Sequence, residues 1–195
     1  MKNVWIVLGM GLAPAVLAAP TPQEFHRAVY ALHLQQTAGQ AIRTEEETGE
    51  YQGVAGRGFR YRITRYYDAA SGRLLSQLQR DAVVKDAIHI AEVNVYDADG
   101  RLVRDYFSSA PPWRPTHPTH TYLNLHHYNG RLHSFRQFEL DGRVNYEACQ
   151  GQLDGQRVHI AHDAIDRAEA VVATAAYRAC FDGLRTDWSA YMHPR

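Results

Sequence analysis

Apolar residues between positions 25 and 32 recur at the spacing of one buried helix face. The stripe consists of Phe25, Val29 and Leu32, at i, i+4 and i+7. Thr21 precedes it with Glu24 three residues later, which is the pattern of a capping box, where each side chain bonds the backbone N–H of the other residue. The pattern predicts a helix from about residue 22 to residue 36.

The polar positions around this helix are predicted to be exposed or irregular. On the neighbouring helix face stand His26, Tyr30 and His33, which we expect at the solvent edge of the helix. Residues 44–58 combine an acidic run with four glycines. Because glycine and charge both disfavour a buried element, this segment is predicted to be an irregular connection.

From Phe59 onward the hydrophobic period changes to two. Phe59, Tyr61 and Ile63 alternate with polar residues, as a strand with one buried face requires. Asp-Gly, Asn-Gly and similar turns, which supply the positive φ of tight hairpins, separate further strand-like segments. These segments cover residues 74–80, 87–96, 102–107, 122–128, 132–139, 144–149 and 158–161. Consecutive strands joined by short turns predict an antiparallel meander.

A second helix is predicted near the C-terminus. Asp163 suits its N-cap with Asp166 three residues on, small residues form a stripe from Ile165 to Ala179, and Gly183 suits the position after its end. The whole pattern predicts one α+β domain over residues 19–195. It would consist of an antiparallel meander of five to seven strands, with an N-terminal and a C-terminal helix packed on the sheet.

The segment from Ser108 to His120 interrupts the meander with four prolines, at 111, 112, 115 and 118. It is too long for a hairpin turn, and proline favours extended backbone. We predict an extended crossing or the wall of a binding site.

The first eighteen residues have the pattern of a cleavable secretory signal. Lys2 precedes an apolar run over residues 4–12, and Val16 and Ala18 suit the two positions that a signal peptidase inspects. The run is shorter than the ~20 residues of a membrane-spanning helix. We therefore predict a signal peptide at residues 1–18, a mature chain without a transmembrane segment, and a periplasmic or secreted location.

Charge gives no indication of a nucleic-acid partner. Acidic and basic residues number 21 each, the formal net charge is +0, and no basic tract stands out. A nucleic-acid-binding surface normally shows a clear basic excess. The expected partner is a small molecule or a protein.

Cys149 and Cys180 are predicted to form a structural disulfide. A pair of cysteines in a small exported domain is usually oxidised. Their spacing is not that of a CxxC redox motif or a zinc knuckle. Closing a loop of about thirty residues contributes ~3–4 kcal/mol, and the bond would hold the C-terminal helix on the sheet.

Histidines are concentrated between positions 117 and 133, and imidazole is a common ligand of copper and zinc. The candidate metal ligands are His117, His120, His126 and His133. In a hairpin that turns at Asn129-Gly130, His126 and His133 would be directly opposite each other and on one face. The alternative is that these histidines are ordinary surface or sheet residues and that no cofactor is bound.

Aromatic and arginine side chains cluster around the proline-rich segment. The candidate ligand-binding residues are Arg104, Tyr106, Trp113, Arg114, Tyr122 and Tyr128. Such side chains beside a long loop are typical of ligand-binding surfaces. They could equally close one end of the core.

Sequence motifs of enzymes are not found in the chain, which lacks a Gly-x-Ser-x-Gly elbow, a His-Glu-x-x-His pair and a phosphate-binding glycine loop. We therefore expect an exported, non-catalytic binding or accessory protein that acts through the loop and sheet face at residues 108–128. A copper- or zinc-binding protein is the alternative. A hydrolase is the third possibility, and it would require a histidine bonded to both a carboxylate and a serine.

Overall fold

The computed structural model describes residues 19–52, 58–84, 87–163 and 169–194. The predicted signal peptide at residues 1–18 lies outside this part of the chain, as does Asp166. Within the described residues, no helix combines the length and the apolar character needed to cross a membrane.

Nine strands form a single antiparallel sheet in the described part of the chain. They are β1 (Ile42–Gln52), β2 (Gly58–Asp68), β3 (Leu74–Asp81), β4 (Ile88–Tyr96), β5 (Leu102–Ser109), β6 (His120–Asn129), β7 (Leu132–Phe138), β8 (Val144–Leu153) and β9 (Gln156–Asp163). Each strand pairs with the next one along the chain, so the spatial order is the sequence order. The predicted meander and the α+β class are confirmed, but the predicted number of five to seven strands was too low.

The acidic segment at residues 44–58 was expected to be irregular, and that expectation is wrong for residues 44–52 and 58, whereas residues 53–57 lie outside the described part of the chain. Its described residues belong to β1 and to the first residue of β2, which pair continuously from Ile42 opposite Asp68 to Gln52 opposite Gly58. Cross-strand charge explains the pairing, because Glu45 lies opposite Arg65 and Glu50 opposite Arg60. Charged side chains are also common on an edge strand, where they discourage pairing with other molecules.

Helix α1 (Pro22–Thr37) packs across β3 to β6. Thr21 and Glu24 form the predicted capping box. The predicted stripe is buried, with Phe25, Val29 and Leu32 at 5% exposure or less. These side chains pack against strand residues Leu78, Ala91, Val93, Tyr106, Leu123 and Leu125.

The proline-rich segment is a long hairpin loop and does not cross the sheet. β5 and β6 pair antiparallel up to Ser109 opposite His120, so residues 110–119 connect adjacent strand ends. Two turns shape the loop, in which Arg114 N–H donates to Pro111 O and His117 N–H to Arg114 O. The loop therefore projects from one end of the sheet beside α1.

The single C-terminal helix that we predicted is two short helices, α2 (Glu169–Val172) and α3 (Ala175–Phe181). Thr174 divides them, because its hydroxyl caps α3 by accepting from Tyr177 N–H. Asp163 is the last residue of β9 and not an N-cap. The C-terminal tail folds back, and Met192 is buried in the main core.

The disulfide between Cys149 and Cys180 is confirmed, with their Cα atoms 6.0 Å apart. It joins β8 to α3, as predicted. Ser134 Oγ also donates to Cys180 O at 2.6 Å. Ser134 pairs with His127, so it lies on the same sheet face as Leu123 and Leu125, which pack against α1. Helix α3 therefore lies on the sheet face that carries α1. We call this the helix face and the opposite side of the sheet the outer face.

Candidate functional site

Two of the predicted ligand-binding residues, Arg104 and Tyr106, lie on the helix face and take part in the packing there. Tyr106 is 1% exposed, and its ring lies 6.1 Å from that of Phe25. Burial raises the pKa of Tyr106. Arg104 Nε donates to the Tyr106 hydroxyl at 3.1 Å, and its guanidinium lies over the Tyr191 ring. Tyr106 is buried and Arg104 is half-buried beneath Tyr191, so they contribute to packing and not to an open sheet surface.

The other four predicted ligand-binding residues are accessible but do not form one surface. Trp113, 59% exposed, and Arg114 project from the loop. Tyr122 and Tyr128 are on the outer face of β6, six residues apart and thus separated by ~20 Å at the rise of a strand. Tyr128 stacks on His133, with ring centroids 4.6 Å apart. No single small ligand could contact all four.

The four histidines proposed as metal ligands do not converge. His120 and His126 are six residues apart on β6, ~20 Å along the strand. His117 lies in the loop, where its Nδ1 is 3.0 Å from the hydroxyl of Thr116. The described residues contain no group of three or more His, Cys, Asp or Glu side chains arranged to hold a metal ion.

Of these four histidines, His126 and His133 are in contact. His126 Nδ1 lies 2.9 Å from His133 Nε2 on the outer face. They share a face as predicted, but they are not directly opposite, because Tyr128 pairs with His133 and His126 with Phe135. The prediction of copper or zinc binding therefore rests on this pair alone.

A carboxylate extends the histidine pair into a chain of three side chains. Asp105 Oδ2 lies 2.7 Å from His126 Nε2, and its other oxygen accepts from the Asn124 amide at 2.6 Å. An ionised carboxylate accepts hydrogen bonds, so His126 carries its proton on Nε2. His126 Nδ1 then accepts from His133 Nε2, which leaves His133 Nδ1 as the basic end of the chain.

A cavity of about 660 Å³ lies at the end of the sheet where α1 faces the proline-rich loop. It is lined by Gln23, His26, Arg27, Tyr30, Ala87, Ile88, Pro115 and Thr116. Its volume is that of a typical small-molecule site, and such sites combine apolar walls with a few polar groups. The loop thus forms one wall of this cavity through Pro115 and Thr116, which were not among the residues predicted to bind a ligand.

The polar side of this cavity is built on buried groups of the sheet. His26 Nδ1 lies 2.9 Å from Ser108 Oγ, and Ser108 is fully buried. Burial, and then the nearby His89, lower the pKa of His26. His89 is 3% exposed, and its ring nitrogens have no hydrogen-bond partner among the described residues. The nearest carboxylate oxygen, on Asp81, is 3.5 Å from His89 Nε2, which is long for a hydrogen bond.

His33 was expected at the solvent edge of α1, and that expectation is wrong. It is 3% exposed, and its Nδ1 lies 2.7 Å from Ser76 Oγ. The rings of Tyr30 and Tyr66 flank it, with centroids 5.7 and 4.5 Å away. Burial, with a contribution from Arg80, lowers the pKa of His33 to about 4. His26 and Tyr30, from the same predicted edge, instead line the cavity.

The contact required of a hydrolase is not found among the described residues. His26 and His33 each meet a serine, and His126 meets a carboxylate. None of the described histidines is bonded to both kinds of group. No known family model, curated protein or solved structure shows significant similarity to the chain.

Proposed function

We propose that this chain is an exported, non-catalytic binding protein whose ligand occupies the cavity between α1, the start of β4 and the proline-rich loop. The cavity itself, of about 660 Å³ with apolar walls and convergent polar groups, is the observation that supports the proposal. The signal-like N-terminus and the disulfide are both compatible with a periplasmic or secreted protein.

The lining of the cavity favours a small amphipathic molecule with an anionic or polar head. Tyr30, Ile88 and Pro115 supply the apolar walls. Arg27 lines the same space and forms no ion pair with a described residue. An unpaired guanidinium is suited to a carboxylate or sulfonate, which it can bind through two parallel hydrogen bonds.

A fluorescent naphthalene sulfonate, with apolar rings and one anionic group, tests this proposal. We expect saturable binding of one probe molecule per chain and its displacement by dodecanoate. Ile88→Glu, which puts a charge into the apolar wall, should abolish binding. Arg27→Glu should weaken it about tenfold or more, because the charge-assisted contact to Arg27 is replaced by repulsion.

Arg157→Glu is the matched control, since Arg157 is also exposed and forms no ion pair with a described residue, but it lies on β9. Arg27 is exposed too, so its substitution should leave the fold intact even if Ile88→Glu does not fold. Equal probe affinity in the wild type and the Arg27→Glu protein would refute the proposed site.

A further inference from the structure

A second depression, of about 480 Å³, opens on the outer face across β7, β8 and β9. Strand register aligns its side chains in two rows. The first row is His133, Gln150 and His159, and the second is Gln152 and Arg157, with Arg131 from the β6–β7 turn beside it. It shares no residue with the cavity beside α1 and lies on the other face of the sheet.

The side chains around this depression carry positive charge without a matching acid. Its described lining contains two arginines and two histidines but no carboxylate. Arg131 Nη1 donates to Gln152 Oε1 at 3.0 Å, so a neutral amide holds this guanidinium in place. Arg157 forms no ion pair with a described residue. Two guanidiniums free of acids form a site for an oxyanion, which accepts their hydrogen bonds.

The hydrogen-bonded chain of side chains from Asp105 through His126 to His133 determines which kind of oxyanion fits. Because Asp105 orients His126 and His126 accepts from His133 Nε2, His133 Nδ1 has no proton when the ring is neutral. This nitrogen has no hydrogen-bond partner among the described residues. Burial and the neighbouring His126 lower the pKa of His133, which favours the neutral ring. The neutral ring therefore presents an acceptor beside two cations.

Phosphate at neutral pH has both negative charge and an O–H donor, whereas sulfate has charge alone. We propose that the depression binds a phosphate group, with Arg131 and Arg157 contacting its anionic oxygens and His133 Nδ1 accepting the proton of its O–H. The group is either inorganic phosphate or a phosphate ester of a small organic molecule in its monoprotonated form, which keeps its O–H near and below a second pKa of about 6. This proposal is independent of the cavity beside α1.

A titration of the purified protein with inorganic phosphate, followed by two-dimensional amide NMR, tests the site. We expect saturable shifts of the Gly151 amide and of the His133 ring protons, because both residues line the depression. Sulfate should bind several-fold more weakly, the size expected for losing one neutral hydrogen bond. At about pH 6, where a large share of either ligand carries an O–H, tighter binding of glycerol phosphate than of inorganic phosphate would identify a phosphorylated organic molecule as the ligand, and the reverse order would identify free phosphate.

Arg157→Glu should weaken phosphate binding about tenfold or more, and Arg27→Glu should leave it unchanged. Shifts at Gly151 that do not saturate, or equal affinity in the Arg157→Glu protein, would overturn the site. These outcomes leave the naphthalene sulfonate result untouched, so the two proposals can fail separately.

Asp105→Asn tests the role of the histidine chain. The Asn124 amide donates to one oxygen of Asp105, so an asparagine introduced at this position would turn its own amide toward His126 Nε2 and reverse both imidazole tautomers. His133 Nδ1 would then carry a proton and donate it. We expect the preference for phosphate over sulfate to disappear while Arg157 remains essential. An unchanged preference would refute the assignment of His133 as the acceptor.

Discussion

The burial of His33 makes the stability of the domain depend on pH. His33 is enclosed by Tyr30 and Tyr66 and bonded to Ser76. Its pKa is 6.5 when free and about 4 in the folded chain. Between these values the unfolded chain binds a proton that the folded chain does not. The free energy of unfolding therefore rises with pH in this window and falls as the medium becomes acidic.

The expected size of this effect follows from the shift. One pKa unit corresponds to about 1.4 kcal/mol, so the full contribution of His33 is ~3.5 kcal/mol, of which ~3 kcal/mol is lost between pH 7 and pH 4. It is complete above pH 6.5 and is lost as the pH falls toward 4. His33→Gln retains a partner for Ser76 but cannot titrate, so its stability should lack this part of the pH dependence. The difference between wild type and variant should shift by ~3 kcal/mol across the window.

Urea unfolding at pH 7, 6, 5 and 4 measures the difference, and His117→Gln is the control because His117 is exposed in the loop. NMR titration of the His33 ring in the wild type gives a direct reading even if the variant is unstable. Parallel stability curves for wild type and His33→Gln, together with a His33 pKa near 6.5, would refute the reasoning.

Two predictions concern the attachment of α3 to the sheet. Replacing Cys149 and Cys180 together by serine should lower the free energy of unfolding by ~3–4 kcal/mol, the entropic value for a loop of this length. An unchanged urea midpoint would contradict it. Tyr177→Phe should cost ~1.5–3 kcal/mol, because the Tyr177 hydroxyl donates to the fully buried carboxylate of Glu147 at 2.8 Å. Tyr67→Phe is the control, because the Tyr67 hydroxyl also donates to a carboxylate, that of the exposed Glu45. Equal losses of unfolding free energy in the two variants would contradict the role of burial.

The meander from β2 onward was largely predictable because most of its turns carry their own local signal, but β1 and the exact register were not. Asn129-Gly130 suggested a turn centred on those two residues. In the structure Asn129 pairs with Leu132, and Gly130 and Arg131 form the turn. Gly130 has φ +58°, and Arg131 is not in the positive-φ region, so glycine stands at the first central position, as in type II′ turns. Gly130 suits either turn, because each needs a positive φ at its position. Only the pairing of the flanking strands shows which of the two turns forms.

The candidate sites were harder to predict, because their residues depend on which way each side chain points. Tyr106 and Phe107 are consecutive, so one must enter the core and the other must face outward. Composition grouped Tyr106 with the ligand-binding residues, whereas packing against Phe25 places it inside. Likewise, the apolar stripe of α1 was correctly predicted, but the loop that encloses His26 and Tyr30 is distant in sequence. No local pattern contains that contact.

The two proposed sites use the same physical device on opposite faces of the sheet. In each site, an arginine that forms no ion pair with a described residue lies beside a histidine, and a polar group of the sheet orients that histidine. For His26 this group is Ser108, and for His133 it is His126, which is itself bonded to Asp105. Burial keeps each histidine neutral by lowering its pKa. The arginine therefore supplies a positive charge to an anionic ligand, while the neutral histidine supplies a hydrogen bond of fixed direction. Because the sites share no residue, charge reversal at Arg27 and at Arg157 should act additively on stability and separately on binding.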